Sequence, residues 1–141
     1  MTSQEIGEAL KILKKASTFA LVGATPHQEK YGYKIFKALQ EAGYQVFPVN
    51  PKYDAIAGVT CFPSLQALPL KPEIVVTVVP PEVTARIVDE CYQLGLPVIW
   101  MQPGSWSEEI VARARDYDLK VIYDLCLLFS LKNINSPISS F

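Results

Sequence analysis

An unbroken apolar run, Phe19-Ala20-Leu21-Val22, stops on Gly23-Ala24-Thr25, and a helical pattern running from Gly32 to Leu39 follows after a short loop. A strand with no polar alternation is buried on both faces, which happens in parallel sheets covered by helices. The same order recurs down the chain. Tyr44 to Val49, Ile74 to Val79, Pro97 to Met101 and Lys120 to Tyr123 read as four further strands. Val83, Ile87, Cys91 and Leu94 recur at helical spacing, as do Ile110, Val111, Ala114 and Tyr117. Residues 3 to 15 place Ile6, Ala9, Leu10 and Leu13 on one helical face, with Thr2 and Glu5 at capping-box spacing. Strand–helix alternation with right-handed crossovers gives an α/β fold: three layers, doubly wound around a parallel five-stranded sheet.

Local punctuation agrees with this reading. Gly43 and Gly95 stand where a helix C′ residue is expected, and Pro81 fits the first position of the helix after the third strand. Ser105 and Glu108 have capping-box spacing for the fourth helix. Pro48 deletes one ladder hydrogen bond, a cost avoided if only the carbonyl side pairs there or the strand is bulged. The connection after Asn50 shows no strong periodicity, although Ser64 to Leu68 suits a single helical turn.

At 141 residues, half of them apolar, the chain is expected to form one domain spanning 1–141, with 136–141 as a loosely specified tail. A net charge of −1 without a basic cluster argues against a nucleic-acid surface. No run approaches the length of a membrane helix, and the N-terminus lacks signal-peptide character, so a cytoplasmic protein is expected. Cys61, Cys91 and Cys126 have no CxxC spacing, and with the single His27 they suggest neither a disulfide framework nor a metal site. Cys61 and Cys91 read as buried thiols. Leu127, Leu128 and Phe129 read as cover for a sheet edge or a dimer interface, so a homodimer or a partner subunit stays open.

In doubly wound sheets, ligands bind beyond the strand C-termini, at the point where strand order reverses. That rule selects Gly23-Ala24-Thr25, Asn50-Pro51-Lys52, Val79-Pro80-Pro81 and Gln102-Pro103-Gly104-Ser105. Backbone amides after the first strand, together with a helix N-terminus, suit phosphate. A site for NAD would place Asp or Glu after the second strand to accept from the ribose hydroxyls. Lys52 has no acceptor to offer there, but it can pair with a phosphorylated ribose. Coenzyme A or NADP is therefore favoured over NAD. A branched side chain at Gly23 is expected to block phosphate approach in a domain that still folds.

Gly23-Ala24-Thr25, Lys30-Tyr31-Gly32-Tyr33, Gly43-Tyr44, Val49-Asn50-Pro51, Pro63-Ser64-Leu65 and Trp100-Met101-Gln102, in that order, resemble the small single-domain CoA-binding proteins. These Rossmann-like proteins are relatives of the nucleotide-binding domain in the succinyl-CoA synthetase α subunit. The resemblance, from about Ile12 to Cys126, implies a CoA nucleotide lying across the strand ends. It implies that Gly23, Ala24 and Thr25 hold phosphates, with Lys30 and Lys52 supplying charge. Asn50 and Pro51 would border the adenosine, and Val79, Pro80 and Pro81 would form an apolar wall. Gln102 and Gly104 would line the far side, with Tyr31 and Gly32 at the start of the helix. Many relatives carry Phe-Arg where this chain has Val79-Pro80, and Asp-Arg-Cys where it has Asp124-Leu125-Cys126, so two arginines are absent. No catalytic residue stands out. The sequence reads as a non-catalytic binding or sensing module for CoA or an acyl-CoA. The alternatives are a small NADP-linked oxidoreductase and an interaction domain that has lost its ligand.

Overall fold

The computed structural model describes residues 2–134; the tail read at 136–141 lies outside the described residues. Helix α1 (Ser3–Lys15) starts on a complete capping box: Glu5 N–H donates to Thr2 Oγ1, and Thr2 N–H donates to the Glu5 carboxylate. Strand β1 (Thr18–Val22) leads to α2 (Tyr31–Glu41) and then β2 (Gln45–Val49). Gly43, at φ +92°, ends α2: its amide donates to Gln40 and that of Tyr44 to Leu39, which satisfies two terminal carbonyls.

Beyond β2 lie a small hairpin, β3 (Ala55–Ile56) and β4 (Val59–Thr60), and a 3-10 turn at Leu65–Ala67. The turn agrees with the sequence, but the hairpin was not anticipated. Its two-residue loop, Ala57-Gly58, has positive φ at both positions, the geometry that suits a tight hairpin. Then come β5 (Ile74–Thr77), α3 (Pro81–Leu94), β6 (Val98–Met101), α4 (Glu108–Asp116), β7 (Lys120–Tyr123) and α5 (Leu127–Lys132). Pro81 occupies the first turn of α3, and Gly95 ends that helix at φ +69°.

The sheet order is β2-β1-β5-β6-β7, all parallel. Alternate residues of β1 face opposite layers. Phe19 and Leu21 pack with Leu13, Ile35, Phe36 and Leu127 on one side. Ala20 and Val22 pack with Ile87, Val88, Ile110 and Val111 on the other. Pro48 is tolerated because β2 is an edge strand. Its carbonyl accepts from Phe62 N–H at 2.9 Å on the outer side, away from β1, so no bond to β1 is lost.

Two expectations need correction. The cap of α4 is Ser107, whose hydroxyl accepts from Ile110 N–H, and not Ser105. Ser105 is buried, and its hydroxyl bonds Thr77 at 2.8 Å and Thr84 at 2.7 Å, tying the loop after β6 to β5 and α3. Leu127 belongs to the core, while Phe129 is exposed. No helix among the described residues is long and apolar enough to cross a membrane.

Candidate functional site

The reversal of strand order falls between β1 and β5, and there the loops after β2, β1 and β5 diverge to leave a groove. It has two lobes that share Gly23, Asn50, Lys52 and Val79. One, of about 520 Å³, is bordered by Thr25, Glu29, Lys30, Tyr31, Gly32 and Pro80. The other, of about 450 Å³, runs between the segment after β2 and the face of α3.

The loop after β1 is held by close backbone approach. Gly23 takes φ +100°, and its amide donates to Val49 at 3.0 Å. A Cβ there would collide with the Val78 carbonyl and sit 2.9 Å from Val79 Cγ1. A branched residue at Gly23 would therefore push β1 and β5 apart, contrary to the expectation that it would spare the fold. Gly32 packs its Cα against the Gly23 carbonyl and Thr25 in the same way, so the first turn of α2 rests on the loop. The Thr25 hydroxyl accepts from His27 N–H at 3.3 Å.

These contacts decide which donors stay open. The Gly23 amide is committed, but among the described residues the amides of Thr25, Tyr31 and Gly32 have no acceptor in hydrogen-bonding geometry. The N-cap of α2, Lys30, offers no side-chain cap, and the first turn of α2 carries no acidic residue. By contrast, α1, α3 and α4 each place Glu in the first turn. The positive end of the α2 dipole is thus left uncompensated beside unpaired amides, an environment that suits an anion. Lys30 and Lys52 add positive charge and Glu29 opposes it.

Asn50 organises the neighbouring wall. Its Nδ2 donates to the Ala24 carbonyl at 2.9 Å, and its Oδ1 accepts from Lys52 N–H at 3.0 Å. Its own amide donates to Phe62, and its carbonyl accepts from Cys61 Sγ at 3.6 Å. Burial pushes the Cys61 thiol above its ordinary range, so it behaves as a packed thiol. Asn50 thereby fixes the spacing between the first two strand ends, and Pro51 and Lys52 are presented by it.

Of the residues selected from sequence, Gly23, Thr25, Lys30, Tyr31, Gly32, Asn50, Pro51, Lys52, Val79 and Pro80 border the groove. Ala24 is fully buried beneath it, and Pro81 serves as the first residue of α3. Gln102 and Gly104 stand apart. Gln102 is buried, and its Oε1 accepts from Leu127 N–H at 2.7 Å, which caps α5. Gly104, at φ +85°, turns the loop after β6 and lines neither lobe.

Sequence reasoning missed Arg86 and Glu90, which join Val83 and Ile87 in one stripe of α3 along the second lobe. The signal was available as two charged residues at i, i+4 set among apolar ones at i−3 and i+1. Loss of solvent raises the Glu90 carboxyl above its ordinary value, against the opposing pull of Arg86 and the Leu65 amide. Among the described residues, no group of His, Cys, Asp and Glu could hold a metal ion.

Residues 17–132 match the family model described as a CoA binding domain. YneT of Bacillus subtilis is 30% identical over 127 residues, covering 90% of this chain and 94% of that protein. An ADP-forming acetate–CoA ligase of Methanocaldococcus jannaschii is 29% identical over 134 residues, and the chain spans 19% of that enzyme's length. A hypothetical protein from Pyrococcus horikoshii OT3 superposes with a TM-score of 0.85 at 32% identity, covering 95% of this chain and 92% of that one. The parallel Rossmann-like fold is shared, and coenzyme A is the cofactor to which the family match points. The chain belongs to the family of CoA-binding domains.

Proposed function

We propose that the protein is a non-catalytic module that binds coenzyme A or an acyl-CoA across the C-terminal edge of β2, β1 and β5. The diphosphate lies against the Ala24–Thr25 loop and the first turn of α2. The adenosine occupies the lobe between Pro51 and α3, and the pantetheine arm leaves past Tyr31 and Pro80. One observation carries this reading: unpaired amides from two segments meet an uncompensated helix N-terminus at the strand-order reversal. A hydrogen bond from such an amide to a charged phosphate oxygen contributes about 1.5–3 kcal/mol.

Lys52, and Arg86 on the opposite wall, supply positive charge for the ribose phosphate. Arg86 thus stands in for the cation that relatives carry at the end of the third strand. Several features support a binding role over a catalytic one. Among the described residues no acid–base pair or activated nucleophile stands out along the groove, and burial keeps Cys61 a thiol.

Thermal denaturation with CoA, 3′-dephospho-CoA and NADP tests the reading. CoA is expected to raise Tm most, by about 2.7 kcal/mol of stabilisation at a hundredfold excess over Kd. Dephospho-CoA should bind more weakly, since a charged hydrogen bond contributes about 1.5–3 kcal/mol. Stabilisation by NADP without any by CoA would transfer the site to an oxidoreductase, and no response to either would leave an interaction domain. Acetyl-CoA recovered intact after incubation with the protein is expected, and turnover would refute the non-catalytic role.

A further inference from the structure

The second lobe contains a group whose needs are unmet. Among the described residues, Glu90 Oε2 is the buried side-chain oxygen that finds no hydrogen-bond partner. A buried acceptor without a donor is costly, and because Oε2 is shielded from solvent, a donor entering the lobe would reach it by turning the carboxyl outward. Val83, Arg86, Ile87 and Glu90 follow i, i+3, i+4, i+7 spacing, so one stripe of α3 faces this space. Glu90 sits nine residues beyond the start of α3, about 13 Å along the axis at 1.5 Å per residue. It therefore lies at the end of the lobe remote from the phosphate loop, past walls formed by Val49, Pro51, Pro63 and Val79. A lobe with Val49, Pro51, Pro63, Val79, Val83 and Ile87 along its walls and a carboxyl at its far end suits a heteroaromatic base that carries an amino group on its far edge.

We propose that Glu90 reads the base of the bound nucleotide, its carboxyl accepting from the exocyclic amino group of adenine. This inference rests on the proposed CoA site and adds a specificity-determining residue to it. Hypoxanthine carries a carbonyl oxygen in place of that amino group, so it meets the carboxylate acceptor to acceptor. A site built to receive a donor rejects such an analogue more strongly than it rejects a change of size. The raised titration of Glu90 agrees with its burial, because removal from water penalises the charged form more than Arg86 and the Leu65 amide relieve it.

The test uses isothermal titration of the full chain with CoA and with its analogue bearing hypoxanthine in place of adenine. The wild-type protein is expected to prefer CoA by at least roughly tenfold, about 1.4 kcal/mol. Glu90→Leu removes the acceptor while keeping a similar volume, and should bind both ligands within about twofold of each other. Glu90→Gln keeps an acceptor oxygen and should restore part of the preference. A preference that survives unchanged in Glu90→Leu, or one absent from the wild type, would overturn the role of Glu90 while leaving CoA binding intact. Failure of the wild type to bind either ligand would overturn the site itself. The apo Glu90→Leu protein should melt no lower than wild type, so loss of discrimination is not loss of fold.

Discussion

Replacing Gly32 with alanine separates two opposed effects at the base of the proposed phosphate site. Gly32 is the second residue of α2, and glycine inside a helix costs roughly 0.5–1 kcal/mol relative to alanine. On propensity alone, Gly32→Ala would stabilise the protein. The structure argues the reverse. A Cβ at this position would overlap the Gly23 carbonyl oxygen and come within 3.2 Å of Thr25 Cγ2. The first obstacle is backbone, pinned by the Gly23–Val49 hydrogen bond and by Val78 on its other side, so it cannot swing away as a side-chain tip would.

Overpacking of this kind costs about 1–3 kcal/mol, and a rigid neighbour puts it in the upper part of that range. After the helix gain is subtracted, a net loss of about 1–2 kcal/mol remains. Tm should then fall by roughly 3–10 °C for a chain of this size. Gly43→Ala is the control: its Cβ meets nothing within 4 Å, so it carries only the strain of φ +92°. Differential scanning calorimetry of the two variants, with and without CoA, reads both consequences. Gly32→Ala should also lose most of the ligand-induced rise in Tm, because the loop and the helix turn are displaced together, whereas Gly43→Ala should keep it. A Gly32→Ala protein that melts at or above wild type would refute the close packing of α2 on the loop.

Two further outcomes are expected away from the groove. The Glu73 carboxylate accepts from the hydroxyls and amides of Ser17 and Thr18, which holds its pKa below the ordinary 4.5. Its contribution to stability is therefore present above that value and lost as pH falls through the lower, folded-state value. The Tm gap between wild type and Glu73→Gln should be constant near neutrality and close below pH 4.5; a gap independent of pH would contradict this. Ser105→Ala should cost about 1–3 kcal/mol in urea denaturation, because it strips partners from the buried Thr77 and Thr84 hydroxyls. A loss of only a few tenths would mean that this hydroxyl chain matters little.

The layers of the fold were legible because each strand and helix carries its own pattern, such as the unbroken run Ile74 to Thr77 or the stripe Val83, Ile87, Cys91. Loop residues near the sheet edge were legible for a related reason, since glycine and proline announce turns. What sequence could not supply was the third dimension of the site. Arg86 and Glu90 border the groove only because β5 lies beside β1 and brings α3 against the segment that follows β2. Gln102 shows the converse error. It follows a strand, as the rule demands, but β6 lies outside the reversal point, and its amide group closes the N-terminus of α5 instead. The hairpin at Ala55–Thr60 escaped notice because its strands are two residues each and its turn places an alanine at φ 50°.

Two helix N-termini, those of α2 and α3, reach the reversal point, and electrostatics decides between them as the phosphate seat. α3 opens on Pro80-Pro81 and carries Glu82 in its first turn. Proline removes one amide donor, and the glutamate already balances the dipole. α2 keeps its donors, lacks a capping side chain and has no acid in its first turn. An anion therefore gains more beside Tyr31 and Gly32 than beside Glu82, by a margin on the order of 1 kcal/mol from the dipole alone. In the proposed complex the same asymmetry would orient the ligand. With phosphate drawn to α2, Val83 and Ile87 on α3 would be free to meet the base, and the absence of an arginine at position 80 would cost less than a count of charges implies.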